Sequence, residues 1–112
     1  GPAVRQLGKR QEAPRTVMKI LIRKEAEQDI ASARFWYQQR SPLAARQFIA
    51  ALNHTLMRIA EFPHAFPPAG KHTRRALLTR FPYTVYFCEN GDRIEVHAVF
   101  HQSRTPQTRL VR

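Results

Sequence analysis

The sequence predicts a two-layer α+β domain, in which a helical hairpin packs on a short, mainly antiparallel sheet. Three observations predict this fold class: a strand-like run near the start, two helical stripes separated by a proline, and a strong β-hairpin signal near the end. A chain of 112 residues has room for one such core. The expected order of elements is strand, helix, helix, strand, strand, strand.

Residues 1–17 mix glycine, proline, glutamine and basic residues without hydrophobic periodicity. They lack the apolar stretch of a secretory signal peptide, and Gly1-Pro2 is typical of what tag cleavage leaves. We therefore interpret residues 1–17 as a leader or tag-derived segment, expected to be flexible. A single domain is expected over residues 18–112.

The first strand and the first helix are predicted from adjacent segments. Residues 17–23 form a short, apolar and β-branched run bounded by charge, which indicates a strand. Residues 25–40 then carry an apolar stripe at spacings of four, three and four, which indicates an amphipathic helix. The stripe consists of Ala26, Ile30, Ala33 and Tyr37.

A second helix is predicted directly after Ser41-Pro42, where the serine can cap the helix and the proline can occupy its first position. Its apolar stripe consists of Ala45, Phe48, Ile49, Leu52, Leu56 and Ile59. The helix is expected to end at Phe62, because a proline follows. Two helices joined so tightly are expected to lie antiparallel.

The remaining strands follow a proline-rich loop at residues 63–72. Residues 75–81 and 82–89 read as strands, and Asn90-Gly91 predicts a two-residue hairpin turn to the last strand. That turn sets an expected register. It places Phe87 opposite Ile94, Val85 opposite Val96, Tyr83 opposite Ala98, Tyr86 opposite Glu95 and Thr84 opposite His97.

The charge of the chain predicts an acidic partner. Lysine and arginine total 19 against 8 acidic residues, which gives a formal net charge of +11. Such charge attracts phosphate backbones or an acidic protein segment. A membrane partner is not expected, because no apolar run approaches the length needed to cross a bilayer.

Cysteine and histidine usage bounds the chemistry further. Cys88 is the single cysteine, which excludes an intrachain disulfide and a cysteine-based zinc site and makes the cytoplasm the expected compartment. We interpret Cys88 as a buried, inert thiol in a strand. The five histidines show no metal-ligand spacing, so neither a metal nor another cofactor is expected.

Several local motifs, in their order and spacing, resemble the RelE/ParE toxin superfamily over residues 18–109. They are Ala26-x-x-Asp29-Ile30-x-x-Ala33, Trp36-Tyr37, Phe48, Ile59 to Pro63, Arg74-Arg75, Phe81-Pro82-Tyr83, the strand at 94–99, and His101-x-x-Arg104-x-Pro106. The resemblance implies a growth-arresting toxin of a type II toxin–antitoxin system, often one that stabilises a plasmid. It also implies a cognate antitoxin, which the charge predicts independently.

The superfamily has two activities, and the resemblance leaves the enzymatic status open. ParE-like members poison DNA gyrase without known chemistry of their own, whereas RelE-like members cut messenger RNA on the ribosome. The Phe81-Pro82-Tyr83 junction and the tail after His101 resemble the ParE-like branch, so gyrase is the favoured target. Ribosome-dependent RNA cleavage is the alternative, and a non-catalytic interaction protein is the second alternative.

A RelE-like ribonuclease would need a base, an acid and a cation. The candidate bases are Glu95 and His97, Tyr86 is a candidate for stacking or proton donation, and His101 is a candidate acid. Polar alternation on a half-buried strand also accounts for Tyr86, Glu95 and His97 without any function.

Binding candidates complete the expected sites. Arg74, Arg75, Arg80 and Arg104 are the candidates for binding the target or phosphate. A solvated basic sheet edge accounts for the first three equally well. Trp36 and Tyr37 cannot both point fully into the core, so they are the candidate antitoxin-binding residues.

Overall fold

A computed structural model describes residues 17–103 and shows the predicted α+β fold. The elements are β1 (Lys19–Ile22), α1 (Lys24–Arg40), α2 (Pro42–Glu61), a 3₁₀ turn (Pro63–Ala65), β2 (Arg74–Leu77), β3 (Tyr83–Asn90) and β4 (Arg93–His101). Their order confirms the predicted strand, helix, helix, strand, strand, strand. The predicted leader, apart from Val17, lies outside the described residues.

The four strands form one sheet in the order β1-β4-β3-β2. β3 is antiparallel to both of its neighbours, whereas β1 is parallel to β4. The chain can therefore leave one edge of the sheet, cross it with the helical hairpin, and return to the opposite edge. The sheet is mainly antiparallel and the helical hairpin packs on one of its faces, which confirms the predicted two-layer arrangement.

The hairpin between the helices is formed by local chemistry at Ser41. Its backbone N–H donates to the carbonyl of Tyr37 at the end of α1, and its Oγ accepts the N–H of Ala44 at 3.2 Å. Pro42 follows in the first turn of α2, where its missing N–H costs nothing. One residue therefore ends α1 and caps α2, which makes the two helices fold back on each other.

The core lies between the helical hairpin and one face of the sheet. Ala26 and Ala33 are buried on the side of α1 that packs on β4, where small side chains allow close approach. Large side chains fill the space below α2 and the sheet centre. The largest of these that are fully buried are Phe48, Ile59, Val85, Phe87, Ile94, Val96 and Val99.

The hairpin signal is correct, but the turn lies one residue later than predicted, which shifts the predicted pairing of the strands by two residues. The turn is centred on Gly91 and Asp92, and only Gly91 has a positive φ, of 66°. A type II′ turn needs glycine only at its first central position, which is Gly91 here. Asn90 is therefore the last residue of β3 and pairs with Arg93. Phe87 consequently lies opposite Val96 rather than Ile94.

A β-bulge then shifts the pairing a second time. Tyr86 pairs with Ala98 and Phe87 pairs with Val96, which leaves His97 as the extra residue of β4. The bulge lets both Val96 and Val99 face the core, although they are three residues apart. Strict alternation would have turned one of them away.

Candidate functional site

A cleft of about 610 Å³ lies between α1 and the adjoining ends of β3 and β4. Its α1 wall is built from residues three or four positions apart, which share one face of a helix. The lining residues are Asp29, Ser32, Ala33, Trp36 and Tyr37 from α1, and Pro82, Tyr83, Val99, His101 and Ser103 from the sheet side.

Aromatic rings form the walls of the cleft. Tyr37 stacks on the buried Phe48 of α2 with ring centroids 5.4 Å apart, whereas Trp36 is 49% exposed. The two neighbours meet edge to face at 5.1 Å, and Tyr83 meets His101 in the same way at 5.2 Å. Burial, and secondarily Tyr83, raises the pKa of Tyr37, so its phenol is neutral at physiological pH. The cleft therefore combines aromatic walls, including the half-exposed Trp36, with polar groups such as the carboxylate of Asp29.

A cation covers one ring of this surface. The guanidinium of Arg40 lies 3.6 Å from the centroid of the Trp36 ring, and its Nη1 donates to the Trp36 carbonyl at 3.0 Å. The two residues are one helical turn apart, so the contact holds the indole against its own helix. Trp36 is therefore exposed but positioned.

The sheet side of the cleft is the edge of β4 beyond its partner strand. β1 ends opposite Val96, and the N–H of Val99 donates instead to Oδ2 of Asp29 at 3.0 Å. At the end of the strand, the N–H of Ser103 donates to Nδ1 of His101 at 3.1 Å. A nitrogen that accepts carries no proton, so this contact assigns the proton of neutral His101 to Nε2.

Glu95 lies on the sheet face opposite the helices, which we call the open face, and both of its carboxylate oxygens accept hydrogen bonds. Arg23 Nη1 donates to Oε1 at 2.9 Å, while Asn90 Nδ2 and Arg93 Nε donate to Oε2 at 2.9 and 3.1 Å. The residue is only 4% exposed. The hydrogen bonds from Asn90 and Arg93 lower the pKa of Glu95, which keeps it ionised. A carboxylate so stabilised is a weak general base.

Cys88 and His97 lie beside Glu95, with Sγ 3.0 Å from Nε2. Burial lowers the pKa of His97, and burial also raises the pKa of Cys88. These two shifts favour a neutral imidazole next to a protonated thiol rather than a thiolate and imidazolium pair. Cys88 is half-buried, rather than fully buried as its sequence context suggested.

The structure does not bring the four candidate catalytic residues together. Tyr86 is buried against Phe100 and Ala98 on the open sheet face, with ring centroids 5.8 Å apart for the aromatic pair. His97 and Glu95 share that face, but His101 lies in the cleft beside α1. The base and the acid that the sequence suggested thus belong to different surfaces.

The candidate basic residues are also spread over several surfaces. Arg74 donates to the carbonyl of Phe66 at 2.7 Å and so holds the preceding loop. Arg75 pairs with Tyr86 on the open sheet face, and Arg80 adopts a positive φ of 74° in the turn between β2 and β3. That turn ends β2 at Leu77, earlier than predicted. Arg104 lies outside the described residues.

Sequence reasoning missed three residues that shape these surfaces. Arg23 pairs with Glu95 across a separation of 72 positions, and Arg93 had no assigned role. Asp29 was noted only as part of a motif. An acidic residue beside the apolar stripe of a helix was the available signal for Asp29, whereas nothing local identifies the partner of Arg23.

The described part of the chain contains no group of three or more histidine, cysteine, aspartate or glutamate side chains arranged to hold a metal ion. Over the same residues, no helix is both long and apolar enough to cross a membrane.

Comparisons with known proteins identify relatives. The family described as "ParE toxin of type II toxin-antitoxin system, parDE" matches residues 20–106 of this chain. Ten chains of solved structures match as well. One, titled "Chromosomal ParDE TA system from P. aeruginosa", is 16% identical with a TM-score of 0.67, over 76% of this chain and 96% of that chain. A comparison with curated proteins found no match.

Proposed function

The chain belongs to the ParE toxin family of type II toxin–antitoxin systems, and on that premise we propose that it arrests growth by inhibiting DNA gyrase. A cognate antitoxin neutralises it in this proposal. Membership of the family confirms the ParE-like branch that the sequence favoured. Gyrase, the antitoxin and a cytoplasmic location are parts of the proposal.

The observation that carries the choice of gyrase over RNA cleavage is the state of Glu95. It is the carboxylate that the sequence offered as a base, yet two arginines and an asparagine occupy both of its oxygens. The candidate acid His101 lies in the cleft, away from it. A toxin that acts by binding needs no such acid and base pair.

The aromatic cleft is the proposed binding site of the antitoxin. Trp36 presents a large, half-exposed indole, and Tyr37 forms the cleft wall behind it. Rigid aromatic side chains of this kind contribute most of the binding energy in many protein interfaces. A net charge of +11 favours an antitoxin segment with acidic residues.

The contact with the target is assigned to the basic residues outside the cleft. Arg75 and Arg80 are the proposed target-binding residues within the described chain, and Arg74 supports them by holding the loop to Phe66. Arg104 is retained from the sequence in the same role. Toxicity of Arg75→Gln and Arg80→Gln variants tests this assignment, because undiminished toxicity of the double variant would exclude it.

Two assays on the purified chain test the proposed function together. The first measures DNA supercoiling by gyrase, and the second maps cuts in a translated message by primer extension. Lost supercoiling or trapped cleaved DNA with an intact message is the expected result. Ribosome-dependent cuts with normal supercoiling would establish a RelE-like ribonuclease instead. Inactivity in both assays would leave an interaction protein.

A further inference from the structure

The sheet face opposite the helices contains a pair of arginines that belong to none of the candidate sites described above. Arg23 and Arg93 are held on either side of the buried Glu95 carboxylate, through contacts of 2.9 Å to Oε1 and 3.0 to 3.1 Å to Oε2. We propose that this arginine pair binds the phosphodiester backbone of DNA.

The pair is positioned before any ligand arrives. Glu95 is 5% exposed at its side chain, whereas the arginine side chains are 50% and 49% exposed. A guanidinium has five N–H donors, and Glu95 engages only part of each set. About half of each arginine side chain is exposed, so the remaining donors are accessible from solvent. Little side-chain freedom is therefore left to lose when an anion binds.

The charge of the pair exceeds that of its buried partner. One carboxylate neutralises one of the two guanidiniums, so a positive charge remains at the pair. Glu25 is close enough to act on His97 beside the pair, and its charge formally offsets the one that remains. Lys19 adds charge, because it lies next to Arg93 in the register of β1 and β4.

The breadth of the surface favours DNA over an acidic peptide. Lys19 begins β1 and Arg23 directly follows its last residue, whereas Arg75 lies on β2 at the far edge of the sheet. Three spacings of about 4.8 Å separate β1 from β2 by about 14 Å across the sheet, and Lys19 and Arg75 are also offset along the strands. A duplex presents phosphates over such a width, whereas a single extended peptide covers one line of it.

The proposal goes beyond gyrase inhibition and does not depend on it. A toxin that acts on a DNA-bound enzyme gains from contacts with the DNA, but the contact itself is measured without gyrase. A chain that does not change supercoiling by gyrase would therefore not contradict the proposed DNA binding. Loss of DNA binding would likewise leave inhibition of gyrase untouched.

The test is fluorescence anisotropy of the purified chain with a labelled duplex of about 20 base pairs, over a series of salt concentrations. Arg23→Gln and Arg93→Gln are each expected to weaken binding about tenfold, as the loss of a charge-assisted hydrogen bond does. Each is also expected to reduce the slope of log K against log salt by about 0.9.

Control variants distinguish the contribution of the arginine pair to DNA affinity from the effect of net charge. Arg34→Gln and Arg46→Gln remove the same charge from exposed positions on the helices and are expected to change affinity by less than about twofold. Arg23→Lys and Arg93→Lys keep the charge and a partner for Glu95, and their expected loss is intermediate. Far-ultraviolet circular dichroism of every variant checks that it is folded.

Three results would overturn the proposal. The first is an equal loss of affinity in the helix controls, which would mean that only net charge matters. The second is a wild-type chain that does not bind the duplex. The third is competition by polyglutamate as effective as that by unlabelled DNA of equal charge, which would assign the pair to an acidic protein segment.

Discussion

The two sides of β4 each hold a carboxylate, and they use it in different ways. On the cleft side, Asp29 accepts the N–H of Val99 and so satisfies the sheet edge where β1 has ended. On the open face, Glu95 takes hydrogen bonds from side chains and gathers Arg23 and Arg93 around it. The first arrangement leaves an aromatic surface, and the second leaves a basic one.

This difference corresponds to the two partners proposed for these surfaces, an antitoxin and DNA. Aromatic walls suit the apolar anchor of a protein segment, whereas exposed guanidiniums suit phosphate. The two surfaces are separated by the thickness of the sheet. Substitutions can therefore be chosen that affect one surface and spare the other.

Removal of the ring beneath the cleft has the largest expected effect. Phe48 is fully buried and stacks on Tyr37, so Phe48→Ala creates a cavity and removes the support of the cleft wall. The free energy of unfolding is expected to fall by about 3 to 5 kcal/mol. Urea denaturation measures this value. A loss below about 1 kcal/mol would mean that the helices do not pack as described.

Truncation of the exposed indole should act on the antitoxin alone. Trp36→Ala is expected to weaken antitoxin binding by about 2 to 4 kcal/mol, as truncation of a buried interface anchor does. Calorimetric titration with the cognate antitoxin measures the effect. Phe35→Ala is the matched control, since Phe35 is 64% exposed on the same helix and does not line the cleft. Equal effects at both positions would refute the cleft as the binding site.

The open face should make the fold sensitive to acid. The pKa of Glu95 is lowered in the folded state, so its stabilising contribution is present above the unfolded pKa of about 4.3. That contribution is lost as the pH falls through the folded pKa. Thermal unfolding between pH 7 and pH 3 should show a smaller decline in Glu95→Gln than in the wild type. Identical declines would show that the Glu95 cluster does not contribute.

The smallest expected effect concerns Arg80, which belongs to neither surface. Its φ of 74° is unfavourable for any residue with a Cβ, so Arg80→Gly should raise the free energy of unfolding by about 0.5 to 1 kcal/mol. Arg80→Ala removes the same charge and keeps the strain, so it is expected to leave stability unchanged. If the Arg80→Gly variant were more stable but not toxic while the Arg80→Ala variant stayed toxic, the strained backbone at this position, rather than the arginine charge, would be needed for the action on the target.

Prediction from sequence succeeded where a pattern is local. The stripes of α1 and α2, and the serine and proline between them, depend on residues within a few positions of one another. The hairpin near Asn90-Gly91 was also found. Its register was not found, because a turn with a positive φ at Gly91 but not at Asn90 lies one residue later than the predicted turn. The bulge at His97 also changes the register, and it depends on which side chains the core must bury.

The candidate site was less accessible to prediction for a related reason. Trp36 and Tyr37 were selected because adjacent helical residues cannot both be buried, and the structure places both on the cleft. Tyr83 and His101, which form its other wall, lie between 46 and 65 positions further along the chain (83 − 37 and 101 − 36). The contact between Glu95 and Arg23 could not be predicted from the sequence either, because the two residues meet only after β1 pairs with β4.

The amino-acid sequence by itself determined the class of fold, the order of its elements, the basic charge and the membership of the toxin family. Each of these follows from composition, periodicity or motif order, which are properties of neighbouring residues. Only the tertiary structure decided that Asp29 closes the edge of β4 and that Glu95 is occupied by Arg23 and Arg93. Ionisation, burial and hydrogen bonding depend on contacts between distant segments, and these exist only once the chain has folded.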